Sequence, residues 1–486
     1  MKREKYIKNY IGGSLVDPVS NQYLDNVNPA TGEIYSFIPD SEARDVEAAV
    51  EAARQAFPEW AAKPADVRGR FLERIADLIN QNLEDFAETE SIDNGKPVSL
   101  ARTVDIPRAV NNFRFFASAI RAFASESHAM EEGAINYTLR QPLGITGCIS
   151  PWNLPLYLFT WKIAPALAAG NCVIAKPSEI TPMTAFLLSQ VCQEAGLPPG
   201  VLNIVHGTGP RAGQAIVEHP DIKAISFTGG TATGKQIAAT AAPMFKKLSL
   251  ELGGKNPNII FADCDWEKMM QTTIRSSFSN QGQICLCGSR IFIERPVYER
   301  FKKEFVEKVR LLHVGDPLSE NTQLGAVVSR AHQEKILSYI ALAQEEGGKV
   351  LCGGRVPEVN KRCENGFFVE PTVIEGLPYT CRTNQEEIFG PVVTLTPFDS
   401  KEEALMMANS TMYGLAATIW TENLTRAHRL AARIQSGIVW INCWMVRDLR
   451  TPFGGMKSSG MGREGGFEAL RFFTEAKNVC INFEKP

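Results

Sequence analysis

Residues 144–150 read GITGCIS, and four later stretches repeat their form: NCVIAKPS at 171–178, VLNIVHG at 201–207, KAISFTGG at 223–230 and KLSLELGG at 247–254. Each is a short apolar run closed by a turn and followed by residues of helical composition. Unbroken apolar runs bounded by turns mark strands covered on both faces, as in a parallel sheet. Parallel neighbours need a crossover of about a dozen residues or more. The stretch TAFLLSQVCQEAG at 184–196 has that length, with Gly196 and Pro198 to end it. The region therefore reads as successive βαβ units. On such sheets ligands sit beyond the carboxyl ends of the strands, so the residues at those ends matter most.

On the N-terminal side the rhythm is helical. Val46, Ala49, Val50, Ala53 and Phe57 fall at helix spacing after Ser41, a capping candidate, and Phe71, Leu72, Ile75, Leu78, Ile79, Leu83 and Phe86 repeat the pattern. On the C-terminal side, NPNIIFAD at 256–263 and RIFIERP at 290–296 read as strands of a second α/β domain, with NQGQICLCGSR at 280–290 between them. The run from Gly437 to Gly466 is dense in glycine and polar residues and reads as one long loop of the functional kind.

The bulk composition narrows the class. A chain of 486 residues exceeds one compact core, and 44% hydrophobic with 22% charged residues is the balance of a folded globular protein. A net charge of -3 supplies no basic field for nucleic acid or an anionic membrane. The start, MKREKYIKNYIGGSLVD, has no apolar run of signal-peptide length, and no window reaches that of a membrane span. Eleven cysteines, an odd number without disulfide spacing, agree with a reducing compartment, and a cytoplasmic location is expected. Cys285 and Cys287 lack a second Cys/His pair nearby, so no metal is expected.

Three residues offer chemistry. Cys285 follows Asn280, Gln281, Gly282 and Gln283, where small and amide residues leave backbone N–H groups free beside a thiol. A buried, inert cysteine is the alternative reading. Glu251 ends an apolar strand before two glycines, where a carboxyl with a raised pKa could activate water. That segment also suits a strand-edge ion pair with Lys246 or Lys247. Asn153 lies between Pro151 and Pro155, which would fix its amide as an oxyanion donor, or as an ordinary Asx-turn. The six histidines, among them His206 and His332, read as surface or loop residues, so a His-based triad is set aside. At other strand ends, Gly207, Gly209 and Gly213 stop short of the G-x-G-x-x-G spacing. Lys176 and Glu179 form either a surface pair or a contact to ribose hydroxyls that would favour NAD over NADP.

Joined together, PWNLP, AKPSE, FTGG, LELGGKNP, NQGQICLCGSR, EEIFGPV and PFGGMKSSGMGREGG resemble the aldehyde dehydrogenase superfamily in order and spacing, over essentially the whole chain. The resemblance implies a Rossmann-like cofactor domain (1–123 and 143–252), a catalytic domain (253–442), a small β element for oligomerisation (124–142 and 470–486) and a site loop (443–469). It implies Cys285 as the nucleophile, Glu251 as the base for hydrolytic water, and Asn153 with the Cys285 N–H as the oxyanion donors. It places NAD against Ile149, Ser150, Trp152, Lys176, Glu179, Gly209, Gly213, Phe227, Gly229, Gly230, Leu252, Glu387 and Phe389, and Glu464 near a proton exit. Gly230 departs from the pattern, since many members carry Ser there. Assembly as a homodimer or homotetramer is likewise an implication of the resemblance.

Arginines narrow the substrate. DIPRAVNNFRFFA at 105–117 and NCWMVRDLRTPFGG at 442–455 resemble the branch acting on muconic semialdehydes, in which Arg108 and Arg447 match the positions that hold a substrate carboxylate. Arg114 and Arg450 read as solvated charges. The expectation is oxidation of 2-aminomuconate 6-semialdehyde to 2-aminomuconate, with the 2-hydroxymuconic substrate or a broader range of aldehydes as alternatives. A catalytically silent binding protein and a thioesterase are the readings from other classes.

Overall fold

In the computed structural model, which describes residues 1, 3–131 and 133–483, the five apolar runs are the strands Ile145–Ile149, Cys172–Lys176, Leu202–Ile204, Ile222–Thr228 and Lys247–Glu251. All five are mutually parallel. In space they run Leu202–Ile204, Cys172–Lys176, Ile145–Ile149, Ile222–Thr228, Lys247–Glu251, so the first strand in sequence lies at the centre. Connections leave it first to one side and then to the other, and that reversal opens a crevice at the strands' carboxyl ends. Antiparallel strands extend the sheet at both edges: Asn9–Ile11 and Ser14–Val16 at one, Gly460–Met461 at the other.

Helices cover both faces, which is why the strands need no polar side. Helix Pro155–Ala168 is buried along its whole length, and it is correspondingly apolar all round apart from the hydroxyls of Tyr157 and Thr160 and the ammonium of Lys162. The first long helix, Ala43–Ala62, is capped by Glu42 and Asp45, each side chain accepting the other's backbone N–H. Ser41 is therefore not its cap. Its hydroxyl accepts from Asn9 Nδ2 at 2.8 Å instead, because the reciprocal Glu42–Asp45 pair already satisfies the helix start.

The second sheet runs Lys349–Cys352, Thr372–Glu375, Val392–Phe398, Arg290–Glu294, Pro257–Ile260, Ala416–Trp420, Ile438–Ile441 and is parallel except at its first strand. A third, antiparallel sheet joins Ser127–Ala129, Ala134–Pro142 and Thr474–Asn482. Residues 132 and 484–486, which belong to the expected oligomerisation element, lie outside the described residues, and residues 470–472 are the end of helix Gly466–Phe472.

The run from Gly437 to Gly466 is not one loop. It begins with the edge strand Ile438–Ile441, and Gly460–Met461 pairs antiparallel with the other sheet, Gly460 opposite Glu251. Its glycines mark close backbone approaches: a Cβ on Gly437 would lie 1.7 Å from the Gly454 carbonyl oxygen, and one on Gly460 would lie 2.1 Å from that of Leu250. Glycine density here reflects main chains packed face to face between two sheets.

Among the described residues, no helix is long and apolar enough to cross a membrane, and no group of three or more His, Cys, Asp or Glu side chains could hold a metal ion.

Candidate active site

Strand register sets the first wall. Ile149 stands opposite both Lys176 and Phe227, and Thr228 stands opposite Glu251. Beyond Ile149 the chain turns through Pro151, Trp152 and Asn153 into helix Pro155–Ala168. The main-chain carbonyl of Asn153 accepts from Asn280 Nδ2 at 2.9 Å and Lys96 Nζ at 3.2 Å. Its side-chain Nδ2 donates to the Gln283 carbonyl at 2.9 Å. An amide nitrogen carries two N–H groups, so one remains for a ligand.

Opposite lies the turn that presents Cys285. Three successive residues, Asn280 (φ 52), Gln281 (φ 56) and Gly282 (φ 70), are left-handed. Such geometry at non-glycine positions is strained and persists where the surroundings over-determine it. Here Asn280 is tied to Asn153, and Gln281 Nε2 donates to the carbonyls of Ala326 (2.6 Å) and Gly95 (3.1 Å). At Gly282 a Cβ would lie 2.1 Å from the Gly390 carbonyl oxygen. The Cys285 carbonyl accepts from Asn256 Nδ2 at 2.7 Å, which fixes the backbone and leaves the thiol partly exposed.

Between these walls is a cavity of about 280 Å³ lined by Trp152, Asn153, Gly229, Gly230, Leu252, Cys285, Glu387 and Phe389, together with Pro151, Thr228, Gly253, His332 and Lys335. Trp152, His332 and Phe389 meet edge to face, with centroids 5.0 Å apart for Trp152–His332 and 5.3 Å for Trp152–Phe389. Glu387 accepts from the Gly254 N–H at 2.8 Å, and burial raises its carboxyl pKa. A Cβ on Gly253 would lie 2.5 Å from that carboxylate, so glycine is what admits it.

Glu251 sits apart from this lining. Its Oε1 has no hydrogen-bond partner among the described residues and packs against Gly454, where a Cβ would lie 2.8 Å away. Burial pushes its pKa well up, with the Glu464 carboxylate pushing the same way and Lys162, Arg463 and Arg447 opposing. Burial likewise pushes the Cys285 thiol up, with Glu387 and Glu251 adding and Arg447 opposing. Lys162 donates to Glu464 at 2.7 Å and to Ser226 at 3.2 Å, both inside the protein. Glu251 is not paired with lysine: Lys246 donates to the carbonyls of Val217 and His219, and Lys247 to that of Thr474.

At the other end of the crevice, Lys176 is buried and pairs with Glu179 at 3.1 Å, so this is not a surface pair. Gly213 lies against Lys176, and a Cβ there would touch its side chain at 3.6 Å, while Gly209 and Gly230 face open space. Ser150 Oγ and Thr228 Oγ1 are buried without a hydrogen-bond partner among the described residues.

Arg447 and Arg108 converge on Tyr157. Arg447 Nη1 donates to its hydroxyl at 2.8 Å, and the Arg108 guanidinium lies over its ring, 5.4 Å from the centroid. Arg447 also lies 3.9 Å from the Phe453 ring centroid. Among the described residues neither arginine has a carboxylate partner, whereas Arg114 pairs with Asp77 and Arg450 with Asp448.

A thiol and an amide with one free N–H thus line the same cavity, and the buried Glu251 carboxyl lies outside that lining. A family model described as the aldehyde dehydrogenase family matches residues 15–479. The chain belongs to the aldehyde dehydrogenase family. It shares the fold of that family's solved members and is an oxidoreductase of the class acting on aldehydes. An aldehyde dehydrogenase from Bacillus cereus, solved as an NAD+ complex, superposes with a TM-score of 0.96 at 39% identity, covering 99% of this chain and 97% of that one. The chain is 54% identical over 486 residues to a 2-aminomuconic semialdehyde dehydrogenase of Danio rerio, covering 99% of each. It is 47% identical to a 2-hydroxymuconic semialdehyde dehydrogenase of a Pseudomonas strain, over 98% of this chain and 99% of that one.

Within this aldehyde dehydrogenase His332 is neither a surface nor a loop residue, contrary to expectation, and His206 lies in a loop as expected but is buried there. His332 lies on helix Arg330–Glu345 and lines the cavity, its Nε2 donating to the Phe389 carbonyl at 2.7 Å. His206 is buried just past strand Leu202–Ile204, with neither ring nitrogen hydrogen-bonded among the described residues. Burial holds both rings neutral, with pKa values near 4 and 3. His332, Lys335, Tyr157 and Lys96 were not singled out by motif, because each reaches the site across a long chain separation.

Proposed function

We propose that the chain oxidises 2-aminomuconate 6-semialdehyde to 2-aminomuconate, with NAD as cofactor. The observation that carries the acidic substrate is the pair of guanidinium groups on Tyr157. A guanidinium without a counter-ion near a reactive thiol is suited to a substrate carboxylate, which it can grip with two parallel hydrogen bonds. The Arg447 charge opposes the rise in the Cys285 pKa, and in this reading a short conjugated chain lies with its carboxylate at Arg447 and Arg108 and its aldehyde at the sulfur. The relatives' names agree with this reading.

The crevice fits a dinucleotide. Gly209 and Gly230 open the space that adenosine and pyrophosphate would take, with Gly213, Phe227 and Gly229 packed beside it, and Lys176 with Glu179 would hold the ribose. Ser150 and Thr228 offer unused hydroxyls, and Ile149, Trp152, Leu252, Glu387 and Phe389 enclose the nicotinamide half. When bound, NAD supplies the hydride acceptor that turns a thiohemiacetal on Cys285 into a thioester.

Cys285 attacks the carbonyl as its proton leaves to pocket water, the Arg447 charge favouring the thiolate. The second N–H of the Asn153 amide, with the Cys285 backbone N–H, receives the oxyanion. One such donor is worth about 3–4 kcal/mol of barrier. Glu251 swings toward the thioester and takes a proton from water; the hydroxide adds to the acyl carbon, the C–S bond breaks, and Cys285 leaves as thiolate while the carboxylate product is freed. The proton on Glu251 then passes to the Glu464 carboxylate, which accepts a hydrogen bond from the Lys162 ammonium. The chain acts in the cytoplasm as a homodimer or homotetramer. The mostly exposed strand Thr474–Asn482, at the edge of the third sheet, supports an assembly in which a second copy covers that edge.

NADH formation followed at 340 nm with the acidic semialdehyde and with a neutral aldehyde tests the proposal. Activity with the semialdehyde, lost in KM on Arg108→Ala and Arg447→Ala, is the expected result. Unchanged kinetics in both variants would refute the carboxylate anchor, and silence with every aldehyde would favour a binding protein.

A further inference from the structure

Lys96 is fully buried, and its ammonium has three partners. It reaches Asp105 Oδ2 at 2.6 Å, Glu90 Oε1 at 3.4 Å and the main-chain carbonyl of Asn153 at 3.2 Å. Glu90 Oε2 in turn accepts from the Leu156 N–H at 3.3 Å. From one charge cluster, hydrogen bonds therefore bracket the turn between residues 153 and 156. Asp105 closes a π-helical turn, Ala101–Asp105, whose extra residue per turn is the irregularity often found beside functional sites.

Such a cluster is a poor way to stabilise a fold. Taking an ammonium and two carboxylates out of water costs several kcal/mol per ion, and apolar replacements of similar volume are often as stable. Burial raises both carboxyls, and the Lys96 charge pulls each of them back down. What the cluster achieves is direction. The Asn153 peptide oxygen is gripped by Lys96 from one side and by Asn280, from the turn that presents Cys285, on the other. Rotation of that peptide would carry the Asn153 side-chain amide off the Gln283 carbonyl, two residues from the nucleophile.

We infer that Lys96 is a positioning residue for the oxyanion donor, holding the Asn153 amide beside Cys285 through the Asn153 main-chain carbonyl. The inference rests on the reading of Asn153 as that donor, and a double-mutant cycle in kcat separates the two. Purified enzyme with NAD and the semialdehyde is compared as wild type, Lys96→Met, Asn153→Ala and the double variant. Lys96→Met is expected to lower kcat about ten- to a hundredfold in the wild-type background, with KM and NAD affinity within about twofold. In the Asn153→Ala background the same change is expected to cost about twofold or less, because the group it positions is gone. An equal loss in both backgrounds overturns the inference and leaves Asn153 as donor. Full activity in Asn153→Ala overturns the donor reading and with it the role of Lys96. Asp105→Asn, which keeps shape and the Glu90 partner, repeats the cycle should Lys96→Met fail to fold. A loss confined to the background that retains Asn153 supports the inference, and a loss in both sinks it.

Discussion

Arg447 Nη1 lies 2.8 Å from the hydroxyl of Tyr157. Tyr157 is on a fully buried helix of the first sheet's covering layer, whereas Arg447 follows the last strand of the second sheet. The hydrogen bond spans the crevice between the two sheets and aims the guanidinium without neutralising it. Replacing Tyr157 by Phe keeps the ring under Arg108 but frees Arg447. We expect KM for the semialdehyde to rise about three- to tenfold and kcat with a neutral aldehyde to stay within about twofold. Arg447→Ala should raise that KM about ten- to a hundredfold, consistent with a lost hydrogen bond to a charged group. Equal losses for acidic and neutral aldehydes would contradict the anchor.

On the proposed role of Asn153, Asn153→Ala removes one preorganised donor from the oxyanion. The expected loss is about a hundred- to a thousandfold in kcat, with little change in KM. Rapid-quench measurement of the first turnover locates the loss in attack rather than in product release.

Glu251→Gln should separate the two halves of the reaction. If Glu251 activates only the hydrolytic water, the variant gives a first-turnover burst of NADH and then nearly stops. A stopped-flow trace without a burst would place Glu251 in the attack step as well.

The pH dependence follows from the same carboxyl. Burial and Glu464 push Glu251 up, so its basic form, and the rate of deacylation, grow as pH rises. Glu464→Gln removes one of the two upward causes and leaves the Lys162 charge, which pulls downward. The rising limb of kcat against pH should therefore move to lower pH. A shift to higher pH, or none, would show that the two carboxyls do not interact.

His206 gives a stability signature. Its folded pKa is near 3, chiefly through burial, against about 6.5 when unfolded. Between those values the unfolded chain binds a proton that the folded chain refuses. The contribution of His206 is thus full above about pH 6.5 and is lost toward pH 3 by about 1.4 kcal/mol per pH unit. Compared with wild type, His206→Gln should show a flatter fall of Tm between pH 6 and 4, read by calorimetry. A parallel fall would mean that the ring finds a proton acceptor.

Much of the fold is legible in the amino-acid pattern. Parallel strands announce themselves as apolar runs, and the residues that follow them, Asn153, Thr228 to Gly230 and Glu251, line up because register is local to each βαβ unit. The small and amide neighbours of Cys285 mark it only weakly, and its expected role comes from the family resemblance; that Asn280, Gln281 and Gly282 form a left-handed turn is visible only in the fold. Lys96, Tyr157 and His332 were hidden because their partners lie 57, 290 and 57 positions away, and no periodicity carries such a separation. The glycines between 437 and 466 misled in the opposite sense. Composition reports that side chains are missing, and both a loop and a tight seam of backbones have that property.

That seam bears on how the enzyme can change. One stretch carries Arg447 and Glu464 and zips onto the strand that ends in Glu251. On the proposed roles, a change of main-chain path near Arg447 reaches the hydrolytic side as well, which a side-chain truncation such as Arg447→Ala does not. Arg108 stands on a separate helix, Ile106–Arg121, with no such bond to the base. On the proposed roles, the anchor at residue 108 is thus structurally separable from the base, and the one at residue 447 is not.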